Sequence, residues 1–242
     1  MSEILIYGID VSEWQMEINW KKVAADGVQF AVLRATHGTK KDACFEQNIS
    51  DAINAGVAVG VYCCSYATTP QGVLDEAAFL LDTIAPYREY ITYPVAFDAE
   101  QDKQYKLGKT KVTELILTFC GKVKEAGYAP MNYTNCAWLN NVIDKPALVE
   151  AKIDTWVAWP QNVKSFADKP TDGVTKHEHT MWQFSSVGRI DGINGDVDLN
   201  VCYVDYPALV KKEQYEKNGL ITLSELVSEL TGRGISHIVL EG

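Results

Sequence analysis

The sequence predicts an α/β barrel built from five strand–helix units followed by three strands with little helix between them. Two observations carry this. Short, apolar, strand-length runs alternate with helical patterns from Ile4 to Tyr133, and three more such runs follow, separated by Gly-, Asp- and Pro-rich stretches. Strands that are apolar along their whole length are expected when both faces of a parallel sheet are covered. A length of 242 residues, with 47% apolar and 22% charged residues, allows one large domain with a full core, or one domain and a short appendix.

Each element has its own signal. Ile4 to Val11 reads as the first strand, and Asn19 can cap a short helix that runs through Ala25. Gln29 to Ala35 is the second strand. Phe45 to Ala55 is helical and stops at Gly56, a good C-terminal signal. Val57 to Ser65 is the third strand, and Gly72 to Ile84 a helix that ends before Pro86. Tyr93 to Phe97 is the fourth strand. Lys109 to Ala126 is the clearest helix: Val112, Leu115, Ile116, Phe119 and Val123 share one face, and Gly127 ends it. Tyr128 to Tyr133 is the fifth strand. Asp154 to Ala158, Thr180 to Phe184 and Val197 to Val201 complete the set.

In barrels of this kind the chemistry sits at the C-terminal ends of the strands. Strand one ends in Gly8-Ile9-Asp10-Val11-Ser12, strand four in Phe97-Asp98-Ala99-Glu100, and the last strand begins near Asp196-Val197-Asp198. Residues two apart on a strand point to one face, with Cα atoms about 6.5–7 Å apart. Asp98 and Glu100 therefore cannot both ionise freely, and one pKa should rise. A raised carboxylic acid beside an ionised carboxylate is what glycoside cleavage requires. On its own, a D-x-E segment is more often a solvated acidic loop; after an apolar strand, with Asp10 also at a strand end, the two readings stand level. Aromatic residues near the strand ends, Trp14, Tyr62, Tyr66, Tyr133, Trp159 and Trp182, offer rigid apolar surface to sugar rings, although each one singly also fits core or rim packing.

Other chemistries find less support. A formal net charge of −10 argues against nucleic acid, which needs a basic face. No apolar run approaches the roughly 20 residues of a membrane span. The six cysteines form no C-x-x-C pair and read as small buried hydrophobes. His177 and His179 lie in a polar stretch and read as surface residues. There is no G-x-S-x-G elbow and no phosphate-binding glycine loop. Met1-Ser2-Glu3 has no basic stretch before the first apolar run, so no secretory signal is expected.

Taken in order, a set of short motifs resembles the glycoside hydrolase family 25 lysozymes, the Chalaropsis-type muramidases found in bacteria and in phage endolysins. The set is Gly8-Ile9-Asp10-Val11-Ser12 with Trp14-Gln15; Trp20; Phe30 through Arg34-Ala35 and Gly38; Phe45 and Asn48; Ala55-Gly56; Gly60-Val61-Tyr62; Asp98-Ala99-Glu100; Tyr133-Thr134-Asn135; Trp156-Val157-Ala158; Trp182-Gln183; and Val197-Asp198-Leu199-Asn200. It covers about residues 5 to 205. The resemblance implies a TIM-like (β/α)5(β)3 barrel that hydrolyses the β-1,4 bond from N-acetylmuramic acid to N-acetylglucosamine in peptidoglycan. It implies Glu100 as general acid with Asp98 beside it, Asp10 and Asp198 as the other acidic groups of the groove, and no metal or organic cofactor. Tyr62, Tyr66, Tyr133, Trp159, Trp182 and Arg34 are the expected sugar contacts. Cys63 after Tyr62, and Trp159-Pro160, depart from the family's usual pattern; neither touches the acidic set.

On this reading protonated Glu100 donates to the leaving oxygen, while ionised Asp98 orients the substrate's acetamido group or stabilises the oxocarbenium-like transition state; a wider carboxyl separation leaves an inverting route open. The alternatives are a chitinase-like hydrolase of N-acetylglucosamine polymers and a catalytically inactive sugar-binding module. The catalytic barrel is expected over 1–207. A charged linker, Lys211 to Lys217, and a helical stripe of Leu220, Leu223, Leu226 and Leu230 fill 208–242, the stripe serving docking or self-association. Synthesis in the cytoplasm and release to the wall by lysis or a phage holin is the expected route.

Overall fold

The computed structural model describes residues 5–171 and 179–217. The chain divides into two compact units, residues 1–204 and 205–242. The first contains, in order, β1 (Ile6–Val11), α1 (Trp20–Ala25), β2 (Phe30–His37), β3 (Lys40–Lys41), α2 (Phe45–Asn54), β4 (Ala58–Cys64), α3 (Pro70–Ile84), β5 (Ile91–Asp98), α4 (Asp102–Tyr105), α5 (Gly108–Glu125), β6 (Pro130–Asn135), α6 (Cys136–Asn141), α7 (Lys145–Glu150), β7 (Asp154–Gln161), β8 (Met181–Gly188) and β9 (Val197–Cys202).

Eight of these strands close a barrel in the order β1-β9-β8-β7-β6-β5-β4-β2, with β2 pairing back to β1 and β3 appended to β2 as a small edge. The expected barrel of five βα units and three further strands is what forms, with one refinement. Seven strands run parallel, but β9 is antiparallel to both neighbours, β8 and β1. Its first residues therefore lie at the end of the barrel where β1 and β5 finish.

Local chemistry explains the element limits. Asn19 caps α1 by accepting from the Lys22 amide. The third expected helix begins earlier than Gly72, because Thr69 caps it and Pro70 occupies its first turn, where a missing N–H costs nothing. Pro94 cannot donate within β5, and the β4–β5 register slips between Val59 and Val61 to accommodate it. Gly60 is required there: a Cβ would lie 2.8 Å from the Pro94 carbonyl oxygen. Two short helices, α6 and α7, fill the fifth βα connection.

The core has two layers. Between strands and helices lie Ile9, Leu33, Val61, Phe97, Phe119, Trp182 and Phe184, with Phe97 and Phe119 rings 4.6 Å apart. Inside the barrel, Phe30 and Tyr93 stack at 4.5 Å beneath the cleft. Gly8 makes room for them, since a Cβ there would meet the Phe30 ring at 2.5 Å. Cys63, Cys120 and Cys202 are buried, as expected of small hydrophobes; Cys44, Cys64 and Cys136 are half-buried.

Two expectations need correction. His179 is not a surface residue: it is 5% exposed, edge-on to the Tyr203 ring. His177 lies outside the described residues. Lys211 to Lys217 is not a linker but the later part of a helix, α8 (Tyr206–Lys217), in the second unit. Lys, Glu and Gln are good helix formers, and nothing in that stretch breaks the turn. The leucine stripe from Leu220 lies outside the described residues.

Candidate active site

Three strands deliver four carboxyl groups to one end of the barrel. Asp10 is next to last in β1. Asp98 ends β5, with Glu100 two residues on. Asp198 is the second residue of β9 and pairs directly with Asp10 across the antiparallel ladder. The cleft between them has a volume of about 290 Å³ and is walled by Asp10, Tyr62, Asp98, Glu100, Tyr133, Trp156, Gln183, Ser186 and Asp198. The antiparallel course of β9 is what brings Asp198 to the same end as the others.

A chain of hydrogen bonds forms the floor. Tyr133 donates its hydroxyl to Gln183 Oε1 at 3.0 Å. Gln183 Nε2 donates to Asp10 Oδ2 at 2.9 Å, and Asn200 Nδ2 to the same oxygen at 2.7 Å. Trp156 Nε1 in turn donates to Asn200 Oδ1 at 2.8 Å. The Tyr133 ring packs on Trp156 at 4.5 Å, and Tyr62 approaches the same indole edge-on at 6.2 Å. Asp10 is thus fixed by two amide donors that have no other rotamer to choose without losing a buried bond.

Electrostatics push all four carboxyls up from their ordinary values. Burial raises Asp10 to about 6, against the lowering effect of the Asn200 and Gln183 bonds. Burial, then the charge of Asp10, raises Asp198 to about 8. Asp98 is pushed well above the carboxylate range by burial and by Glu100 next to it; the Cys64 thiol, at the paired position on β4, pulls the other way. Glu100 stands exposed at the rim, and partial desolvation of its carboxyl raises it as well. The site therefore retains protons at pH values where free carboxylic acids have lost theirs. Asp98 lines the cleft, and its Oδ1 is buried without a hydrogen-bond partner. Burial also raises the Tyr62 and Tyr133 phenols, which stay neutral donors.

Set against expectation, Asp10, Asp98, Glu100, Asp198, Tyr62 and Tyr133 come together in the cleft. Tyr66 and Trp159 stand 41% and 42% exposed and are not part of its wall. Trp182 is a correction. It is 1% exposed and packs with the outer core, because Gln183 beside it points into the barrel and neighbours on a strand alternate. Arg34 is another. Its guanidinium is taken by Asp42 at 2.7 Å and Glu13 at 2.8 Å, and it is not in the cleft wall. Both members of the Asp98–Glu100 pair are raised by burial, so the pair holds on to a proton above the ordinary carboxylate range. Sequence reasoning did not single out Trp156, Gln183 or Asn200 as site residues. Their signal was uncharged polar groups, and an indole, at inward phase within apolar strands. Among the described residues no group of three or more His, Cys, Asp or Glu side chains is arranged to hold a metal ion.

A barrel of seven parallel strands and one antiparallel, with raised carboxyls and aromatic walls at one end, is an arrangement suited to a barrel glycosidase. Residues 9–193 match the family model of glycosyl hydrolases family 25, and the chain belongs to that family. It is a glycoside hydrolase of the lysozyme type. It is 32% identical over 202 residues to lysozyme M1 of Streptomyces globisporus, covering 81% of this chain and 67% of that protein. A bacterial lysozyme of Streptomyces coelicolor superposes with a TM-score of 0.61 at 29% identity, covering 81% of this chain and 90% of that one. The modular autolysin LytC of Streptococcus pneumoniae, solved with a synthetic peptidoglycan ligand, shares the fold with a TM-score of 0.70 at 24% identity. The match covers 82% of this chain and only 47% of that autolysin.

Proposed function

We propose that the protein is an N-acetylmuramidase: it hydrolyses the β-1,4 bond from N-acetylmuramic acid to N-acetylglucosamine in bacterial peptidoglycan. The observation that carries this reading is the cleft itself, where four carboxyl groups with raised pKa values meet without an ion pair among the described residues. The choice of polymer is supported by relatives named as a lysozyme and as an autolysin bound to a peptidoglycan ligand.

Asp98 and Glu100 hold one transferable proton between them. An acetamido N–H of the substrate that donates to the Asp98 carboxylate in the cleft stabilises the ionised form of that residue, and the proton then belongs to Glu100. Glu100 passes it to the glycosidic oxygen as the C1–O bond breaks. The acetamido carbonyl oxygen closes on C1, with the Asp98 carboxylate taking up the positive charge that forms at nitrogen. Water then attacks C1 as the bond from C1 to the acetamido oxygen breaks, gives its proton to Glu100, and leaves the acetamide restored and the anomeric configuration unchanged. Asp10 and Asp198 share a second proton, which limits the negative charge beside the reacting pair.

The test is the new reducing end. Purified peptidoglycan is digested, the products are reduced with borohydride, and the reduced sugar is identified by mass spectrometry. The proposal requires reduced N-acetylmuramic acid. Reduced N-acetylglucosamine as the sole product would overturn the choice of bond, and release of neither would point to a sugar-binding module.

A further inference from the structure

Behind the cleft lies a second buried polar group that the reaction does not touch. Glu76 of α3 is 5% exposed and Gln104 of α4 is fully buried. Ser65 donates its hydroxyl to Glu76 Oε2 at 2.5 Å, and the Tyr66 amide donates to Glu76 Oε1 at 3.0 Å. Gln104 Nε2 donates to Ser65 Oγ at 3.3 Å and to the Ala67 carbonyl at 2.9 Å. Its Oε1 accepts from the Gln101 amide at 3.0 Å. The Ser65 amide donates to the Asp98 carbonyl at 2.7 Å.

These bonds run in one direction. Glu76 holds Ser65 and Tyr66, the residues that follow β4. Ser65 is tied to the end of β5 at Asp98 and to Gln104. Gln104 grips the backbone at Gln101, the residue immediately after Glu100. The segment that carries Glu100 is thus anchored on both sides: by the β4–β5 ladder before it and by the Gln104 amide after it. Glu100 is exposed at the rim and makes no side-chain hydrogen bond among the described residues, so its place depends on its backbone. The Gln104 side chain thus caps α4 at Gln101 and at the same time ties that helix start to Ser65 and Ala67.

We infer that Gln104, braced by Ser65 and Glu76, is a positioning residue that fixes the Glu100 carboxyl over the scissile bond. This rests on the reading of Glu100 as the general acid. A misplacement of about 1 Å at a reacting group can cost about 100-fold, and Gln104→Ala, which frees one flank only, is expected to cost about tenfold in kcat with KM within twofold.

The experiment separates positioning from general loosening by the leaving group. Wild type, Gln104→Ala and Glu100→Gln are compared on glycan polymer and on the dinitrophenyl glycoside of the N-acetylglucosaminyl-N-acetylmuramic acid disaccharide, whose leaving group needs no proton; on the aryl glycoside the first-turnover release of dinitrophenolate is read, because the later attack of water also uses Glu100. Gln104→Ala should lose about tenfold on the polymer and less than twofold on the aryl glycoside, the same pattern, smaller, as Glu100→Gln. An equal loss on both substrates, or no loss on the polymer, would overturn the inference while Glu100→Gln still reports the acid. If Glu100→Gln itself loses equally on both, the assignment of Glu100 fails and the positioning claim with it. Should Gln104→Ala not fold, Ser65→Ala removes the hydroxyl that joins the two halves and is read in the same way.

Discussion

Two acidic clusters stand at the same end of this barrel and have opposite fates. In one, Asp42 is fully buried, accepts from the Cys44 and Glu13 amides, and meets Arg34, which reaches on to Glu13. Every charge there has a partner, and the cluster pins the loops after β1 and β3. In the other, Asp10, Asp98, Glu100 and Asp198 have no ion pair among the described residues, and burial leaves protons as their means of neutralisation. Residue type alone does not distinguish the two, since each is built from Asp and Glu. The presence of one guanidinium does. A carboxylate satisfied by a cation is structure; carboxyls that must share protons are poised for transfer.

The comparison can be broken from either side. The largest effect is expected from Glu100→Gln, which keeps size and removes the transferable proton. Lysis of purified walls should fall at least about 100-fold with an unchanged melting temperature; activity within threefold of wild type would remove Glu100 from the mechanism. Next comes Arg34→Met, which leaves Asp42 buried and unpaired. A broken buried pair costs about 3–5 kcal/mol, so the melting temperature should fall by on the order of 10 °C. Arg34→Lys should not restore it, because an ammonium cannot span Asp42 and Glu13 as the planar fork does. A stability loss below about 1 kcal/mol would show that this cluster is no more structural than a surface pair.

A smaller and opposite change is expected from Asp198→Asn. The folded pKa of Asp198 lies above the unfolded value near 3.8, at about 8. Its stabilising contribution is therefore complete below the unfolded pKa and is lost as pH rises towards and through 8. The asparagine variant should be more thermostable than wild type at pH 8, with the difference shrinking towards pH 4, while activity declines. A variant less stable than wild type at pH 8 would mean that Asp198 is held ionised and paired.

Much of this was legible in the sequence, for physical reasons. Strands buried on both faces must be apolar throughout, so the barrel strands stood out. The acids stood out because they interrupt those strands at their ends. What was not legible depends on phase and on partners. Trp182 read as a sugar contact, but Gln183 faces inward, and alternation sends Trp182 to the outer core. Gln183 and Asn200 are single polar residues in apolar runs; only closure of the barrel shows that both bond Asp10. Arg34 lies at a strand end like the acids, and only the fold reveals that Asp42 and Glu13 claim it. The clamp of Glu76, Ser65 and Gln104 draws on three separate elements, and no local pattern announces it. In α8 the charged run resembled a linker because solvated helices and linkers share a composition.

Proton transfer in the cleft depends on carboxyls that keep their protons beyond the ordinary range. Carbon-13 labelling of the Asp and Glu carboxyls, with NMR titration of wild type and of single Asn or Gln variants to assign each signal, measures this directly. Midpoints near 6 for Asp10 and near 8 for Asp198 are expected, with Asp98 and Glu100 also displaced upwards. All four carboxyls titrating together near 4 would contradict this.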